Sequence, residues 1–181
     1  MKQILIILTS ILTLATTNIY AHKDRIERPI EYIFIFQNND TFTIKSQNDS
    51  LLQSINLDIV NHKRELVETQ LSFETGEKII FKYENSKMTS IRIERDNTKI
   101  FVPKETIEKI TEVHFLTISL LWDGDYKKAF EASYFYIQFD MGTEKSYDKY
   151  PYVQLSFLDN EFSKSIIWRQ INENSKQWKE L

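Results

Sequence analysis

The chain has 181 residues, 23 basic against 26 acidic side chains, a formal net charge of −3 and no cysteine. Without cysteine there is no disulfide, no thiol nucleophile, no thiolate metal site and no lipid-modified N-terminal cysteine. The acidity is mild and spread along the chain, which excludes an electrostatic footprint for nucleic acid, and only three glycines and three prolines argue against linkers or low-complexity segments.

Taken in chain order, the first element is a secretory signal. Lys2 is the one charge before position 22, Ile4 to Leu14 is apolar, and small or polar residues then lead to Ala21. A basic start, a short apolar centre and a small residue before a polar chain define a signal peptide over residues 1–21. The apolar run is too short to span a bilayer, which takes about 20 apolar residues. Cleavage after Ala21 is expected, although Ile19 is bulkier than the usual residue at its place. Residues 22–181 are then one exported domain, stable through its core alone.

Arg25 to Pro29 reads as an extended lead-in. IEYIFIFQ (30–37) is a strand with Tyr32, Phe34 and Phe36 on one face, and NND (38–40) turns it into TFTIKS (41–46), where Phe42 and Ile44 share a side. LLQSINLDIVN (51–61) is open. Leu52, Ile55 and Ile59 fit a helical stripe, while Ile55, Leu57 and Ile59 fit a strand. Between Arg64 and Val102, four alternating segments separated by TG, ENSK and DN predict an antiparallel meander. Pro103 ends it and opens a helix over 103–113, with acids in the first turn and Ile107 and Ile110 on one face.

HFLTISLLW (114–122) either continues that helix or forms a buried strand. ASYFYIQFDMG (132–142) is a strand with Phe135, Ile137 and Phe139 opposite Tyr134, Tyr136 and Gln138. PYVQLSF (151–157) and EFSKSIIWRQ (161–170) make a last hairpin, and NSKQWKEL (174–181) has the look of a short terminal helix. The expected fold class is α+β: mainly antiparallel sheet in meanders and hairpins, one central helix, and a short C-terminal helix as an option.

Few residues carry a chemical signal. A mature chain starting at His22 offers an amino group and an imidazole, a copper-brace pair if His62 or His114 joins it. Neither stands at a metal-ligand spacing, so His22 reads as a solvated terminus and His114 as a hydrogen-bonded core or rim residue. LLWDGDYKK (120–128) resembles, over nine residues, the nucleophile loop of haloacid-dehalogenase-type phosphotransferases, where one Asp attacks phosphorus and the next handles the proton. Tyr126 and Lys127 stand where that motif has a small residue and then Thr or Val, and no parallel-sheet layout surrounds it. Lys127 also replaces the next acid of a calcium-type D-x-D-x-D series. Asp-Gly is a turn signal, and the segment reads as a tight turn.

There is no G-x-S-x-G elbow, and the acids give no spacing that selects a glycosidase pair. NDT (39–41) and NDS (48–50) match the N-glycosylation pattern but fall where Asx turns belong. What stands out is aromatic density from Tyr134 to Phe157, with Trp122, Trp168 and Trp178 around it. Such residues fill a core or form a recognition surface. The candidates for partner or ligand contact are Trp122, Asp123 and Asp125 at the turn, with Tyr147, Tyr150 and Tyr152 around Pro151. The expected function is that of a non-enzymatic, exported binding protein of the cell envelope, of inhibitor or immunity type. It needs no cofactor or metal, and its partner is a protein of the periplasm or extracellular space. The alternatives are a carbohydrate- or small-ligand-binding module and a small hydrolase or copper enzyme. The Ile-, Asn- and Lys-rich composition is that of an AT-rich bacterial genome.

Overall fold

The computed structural model describes residues 25–45, 48–60, 63–95, 97–110, 114–122, 126–140, 152–172 and 175–180. The sequence readings on residues 1–24, including the signal peptide and His22, lie outside these, as does His62. Two six-stranded antiparallel sheets face each other across one apolar core.

The first sheet runs β3-β2-β4-β5-β6-β7. Its strands are β2 (Glu31–Phe36), β3 (Thr41–Lys45), β4 (Leu66–Ser72), β5 (Lys78–Glu84), β6 (Lys87–Arg95) and β7 (Thr98–Phe101). The alternation read from the sequence decides which side is inward. Tyr32, Phe34 and Phe36 are buried, as are Leu71, Ile79, Phe81, Ile91 and Ile93. The β5–β6 connection is two residues, Asn85 (φ 50°) and Ser86 (φ 60°), both left-handed as a tight hairpin with the right-handed strand twist requires.

The second sheet runs β1-β8-β9-β10-β11-β12. Its strands are β1 (Arg25–Glu27), β8 (His114–Trp122), β9 (Tyr134–Asp140), β10 (Tyr152–Leu158), β11 (Glu161–Asn172) and β12 (Ser175–Glu180). Ile118, Leu120, Trp122, Phe135, Ile137, Phe139, Val153, Leu155 and Phe157 turn inward and join the side chains of the first sheet in a single cluster. Phe81 and Phe139 meet edge to face across the two sheets, ring centroids 6.5 Å apart. Within the second sheet Phe135 stacks on Phe157 at 4.9 Å.

Two expectations about helices change. The principal helix is α1 (Asp49–Val60), not a central helix over 103–113. Asn48 caps it, its Oδ1 accepting the Leu51 N–H at 3.2 Å. Leu52 and Ile55 are buried and Leu57 is 54 % exposed, which decides the open segment for helix over strand. Among the described residues after Pro103 a single helical turn forms, α2 (Lys104–Ile107), and residues 111–113 of the expected helix lie outside them. The segment 114–122 is a strand. The C-terminal helix is also corrected: Ser175–Glu180 is an edge strand, in register with β11 from Ile166↔Glu180 to Asn172↔Ser175. A six-residue helix would satisfy few of its own backbone groups, whereas the free edge of β11 offers a full ladder of partners.

Candidate functional site

The residues of β9 that alternate with Phe135, Ile137 and Phe139 lie on the outer face of the second sheet. Tyr134 is 40 % exposed there, with Tyr136 half-buried beside it at a ring distance of 6.1 Å. The Tyr134 hydroxyl donates to Ser156 Oγ on β10 at 3.2 Å, which fixes the ring over the strand pair. Register extends the patch in both directions. Leu158, 49 % exposed, is directly opposite Tyr134, and Tyr136 is opposite Leu121, which is opposite Ile26, 64 % exposed. The row crosses β10, β9, β8 and β1, with Leu158, Tyr134 and Ile26 exposed, Tyr136 half-buried and Leu121 buried beneath its neighbours. Exposed Glu161 and Lys164 on β11 border it.

Trp122 belongs to the core. It is 1 % exposed, its indole N–H donates to the Tyr126 carbonyl at 3.1 Å, and the Arg25 guanidinium lies 5.2 Å from its ring centroid. Arg25 also donates to the Lys127 carbonyl at 2.8 Å, so one guanidinium joins β1 to the Trp122 ring and to the backbone at Lys127. Asp123, Asp125, Tyr147 and Tyr150 lie outside the described residues. Tyr152 opens β10, in register with Asp140 on one side and Trp168 on the other. Trp168 is in turn in register with Trp178, and His114 with Asp140. The backbone therefore sets Tyr152, Trp168 and Trp178 in one row across three strands, which no sequence spacing announced.

Two hollows open elsewhere. One, of about 620 Å³, lies between β6 and α2, with Met88, Ile107 and Ile110 as its apolar lining and Lys87, Lys104 and Glu108 at its polar part. Lys104 is engaged with Glu108 at 3.7 Å. The other, of about 360 Å³, sits by the β2–β3 turn, where Arg64 covers the Phe36 ring at 5.2 Å. Inside the first sheet the Thr69 and Tyr83 hydroxyls are buried beside each other, close enough for Thr69 to oppose the shift of the phenol but without a hydrogen bond of good geometry to each other or to another described residue. Burial pushes the Tyr83 phenol up. It pushes the Tyr32 phenol up to about 12, with the Arg28 charge opposing and Asp49 adding to the shift.

Among the described residues no three His, Asp or Glu side chains gather as a metal cluster. Nor, among them, is any helix long and apolar enough to cross a membrane. No protein-family model matches the chain, and neither a curated protein nor a solved structure matches it.

Proposed function

We propose that this chain is an exported, non-enzymatic binding protein of the cell envelope that acts by holding a protein partner, as an inhibitor or immunity-type protein does. The observation that carries this reading is the outward row Leu158–Tyr134–Tyr136–Leu121–Ile26 on the second sheet, in which Leu158, Tyr134 and Ile26 are exposed, Tyr136 is half-buried and Leu121 is buried between its neighbours. A rigid sheet presents these side chains at little entropic cost, tyrosine supplies apolar area with a polar tip, and charged residues border the patch. The fitting partner surface is apolar at its centre and polar at its rim.

The test is affinity capture from the native envelope, with mass spectrometry, using wild type and the Tyr134→Asp/Leu158→Asp double variant. One envelope protein should co-purify with wild type and be lost or weakened tenfold or more with the variant, roughly the effect of removing a central aromatic anchor. Identical captures from both would refute the assignment of the surface. Recovery of the native chain from the cytoplasm would refute export.

One observation favours a second reading, glycan binding. The register row Tyr152–Trp168–Trp178 places three aromatic residues at facing positions on neighbouring strands, and aromatic residues combine an apolar body with a polar tip, as a sugar-binding face requires. Tryptophan fluorescence unchanged across a glycan panel would remove it.

A further inference from the structure

Strand β1 touches both sheets. It pairs with β8 in the second, while its half-buried Glu27 reaches the turn between β4 and β5 in the first. Glu27 Oε1 accepts the Thr75 N–H at 3.0 Å, and Glu27 Oε2 accepts the Thr75 hydroxyl at 3.1 Å. That hydroxyl is equally in contact with Glu77 Oε2. A hydroxyl has one hydrogen to give. Two carboxylates therefore converge on one donor and face each other across it.

Glu77 is the more demanding of the two. It has no exposed surface, and its second oxygen, Oε1, has no hydrogen-bond partner among the described residues. The ion pairs of the described residues join other groups: Lys63 to Asp58, Lys82 to Glu68, Arg92 to Glu94 and Lys104 to Glu108. A fully buried carboxylate with an open oxygen and a second carboxylate beside it is the arrangement that a bound cation satisfies.

We propose that Glu27, Thr75 and Glu77 form a calcium site that clamps the edge strand of one sheet to a hairpin turn of the other. All the donors are hard oxygens, which select calcium or magnesium over transition metals. Two carboxylates balance the charge of one divalent ion. The turn is already closed: Phe73 N–H donates to the Glu77 carbonyl and Gly76 N–H to the Phe73 carbonyl, both at 3.0 Å, with Gly76 at φ +99°. Oxygens fixed in advance on such a turn suit calcium, which accepts six to eight ligands in irregular geometry. Magnesium demands an octahedron and sheds its water reluctantly. Two acids are fewer than most calcium sites use, so the Thr75 hydroxyl, backbone carbonyls and water complete the shell, and the affinity falls in the weak range.

The experiment is calorimetric titration of the EDTA-treated full chain with calcium chloride and, separately, magnesium chloride, alongside thermal unfolding in each. Wild type should bind one calcium ion with a Kd on the order of 0.1–1 mM, the range of extracellular modules. Its melting temperature should rise with calcium, and magnesium should bind at least tenfold more weakly. Glu27→Gln should fold, lose the calcium heat and melt at a calcium-independent temperature. Glu77→Gln, which replaces the buried charge with a neutral amide, should do the same if it folds, and Glu27→Gln decides the matter if it does not. The proposal is overturned if wild type shows neither heat nor a melting shift at about 10 mM calcium, on the order of ten times that Kd. It is also overturned if Glu27→Gln responds to calcium as wild type does, because the ion then sits elsewhere.

Discussion

If the two sheets share one core, Phe81 and Phe139 are energetically coupled although 58 residues and two sheets separate them. Both are fully buried, and their rings meet edge to face with centroids 6.5 Å apart and planes at 86°. Truncation to alanine would cost about 3–5 kcal/mol at each site. The pair together could exhaust the roughly 5–15 kcal/mol by which a domain of this size is folded. Leucine is the better probe, since it removes the ring but leaves a smaller cavity, and so a smaller loss, than alanine does. The ring–ring term itself is worth about 0.5–1.5 kcal/mol beyond area burial. A cycle of Phe81→Leu, Phe139→Leu and the double variant should therefore deviate from additivity by that amount.

Urea unfolding followed by tryptophan fluorescence reads each corner, with buried Trp122 as a reporter inside the same cluster. The Phe135–Phe157 pair, stacked at 4.9 Å between adjacent strands of one sheet, is the control, because its coupling needs no contact between sheets. Coupling in the control but additivity within about 0.3–0.5 kcal/mol at Phe81–Phe139 would show that the sheets do not face each other. The single shared core would then be wrong.

Two further outcomes test local features. The Tyr32 phenol keeps its proton to about 12 when folded, while the unfolded phenol loses its proton near 10. Burial of Tyr32 thus contributes fully below pH 10, and that contribution is lost as pH rises from 10 to about 12, by at most roughly 2–3 kcal/mol. The fall in urea midpoint between pH 9 and pH 11.5 should be shallower in Tyr32→Phe, with Tyr83 sustaining what remains. Equal falls in both proteins would contradict the burial of this hydroxyl. At the β5–β6 turn Ser86 pays for a left-handed φ of 60° that glycine adopts freely, so Ser86→Gly should raise stability by about 0.5 kcal/mol. A lowered midpoint would mean that the turn has a different geometry.

What the sequence made legible was whatever alternation controls. In β2 and β9 a period of two splits each strand into two sets, and Tyr32, Phe34, Phe36, Phe135, Ile137 and Phe139, grouped on that rule alone, all turned inward. The same rule marks Tyr134 and Tyr136 as outward, so two of the five residues of the candidate surface could be named from one strand. Helices were read less well. Ile55 and Ile59 satisfied both periods, and what decided between Leu52 and Leu57 as their companion was a cap at Asn48 and the exposure of Leu57, which depends on where the helix lies against β8. Residues 175–180 went the other way, since a short segment with no strong period takes the structure that its neighbour's open edge offers.

The convergence of Glu27, Thr75 and Glu77 shows why sites are harder to read than folds. Their meeting depends on β1 leaving the hairpins that follow it and adding to β8, about a hundred residues along the chain. Nothing in RIE (25–27) specifies that choice locally. It follows from Trp122, which needs a cover for its ring, and from Arg25, which supplies it and holds the Lys127 carbonyl. Once those contacts set the register at Arg25↔Trp122, Glu27 falls opposite Leu120 on the inward side of β1, within reach of the β4–β5 turn. Arg25→Ala should therefore weaken the reach of Glu27 to Thr75, although neither residue is altered. In the calcium titration it should behave as a partial copy of Glu27→Gln, with a reduced melting shift and a raised Kd. Wild-type calcium affinity in Arg25→Ala would show that the β1 register is held by its backbone ladder alone.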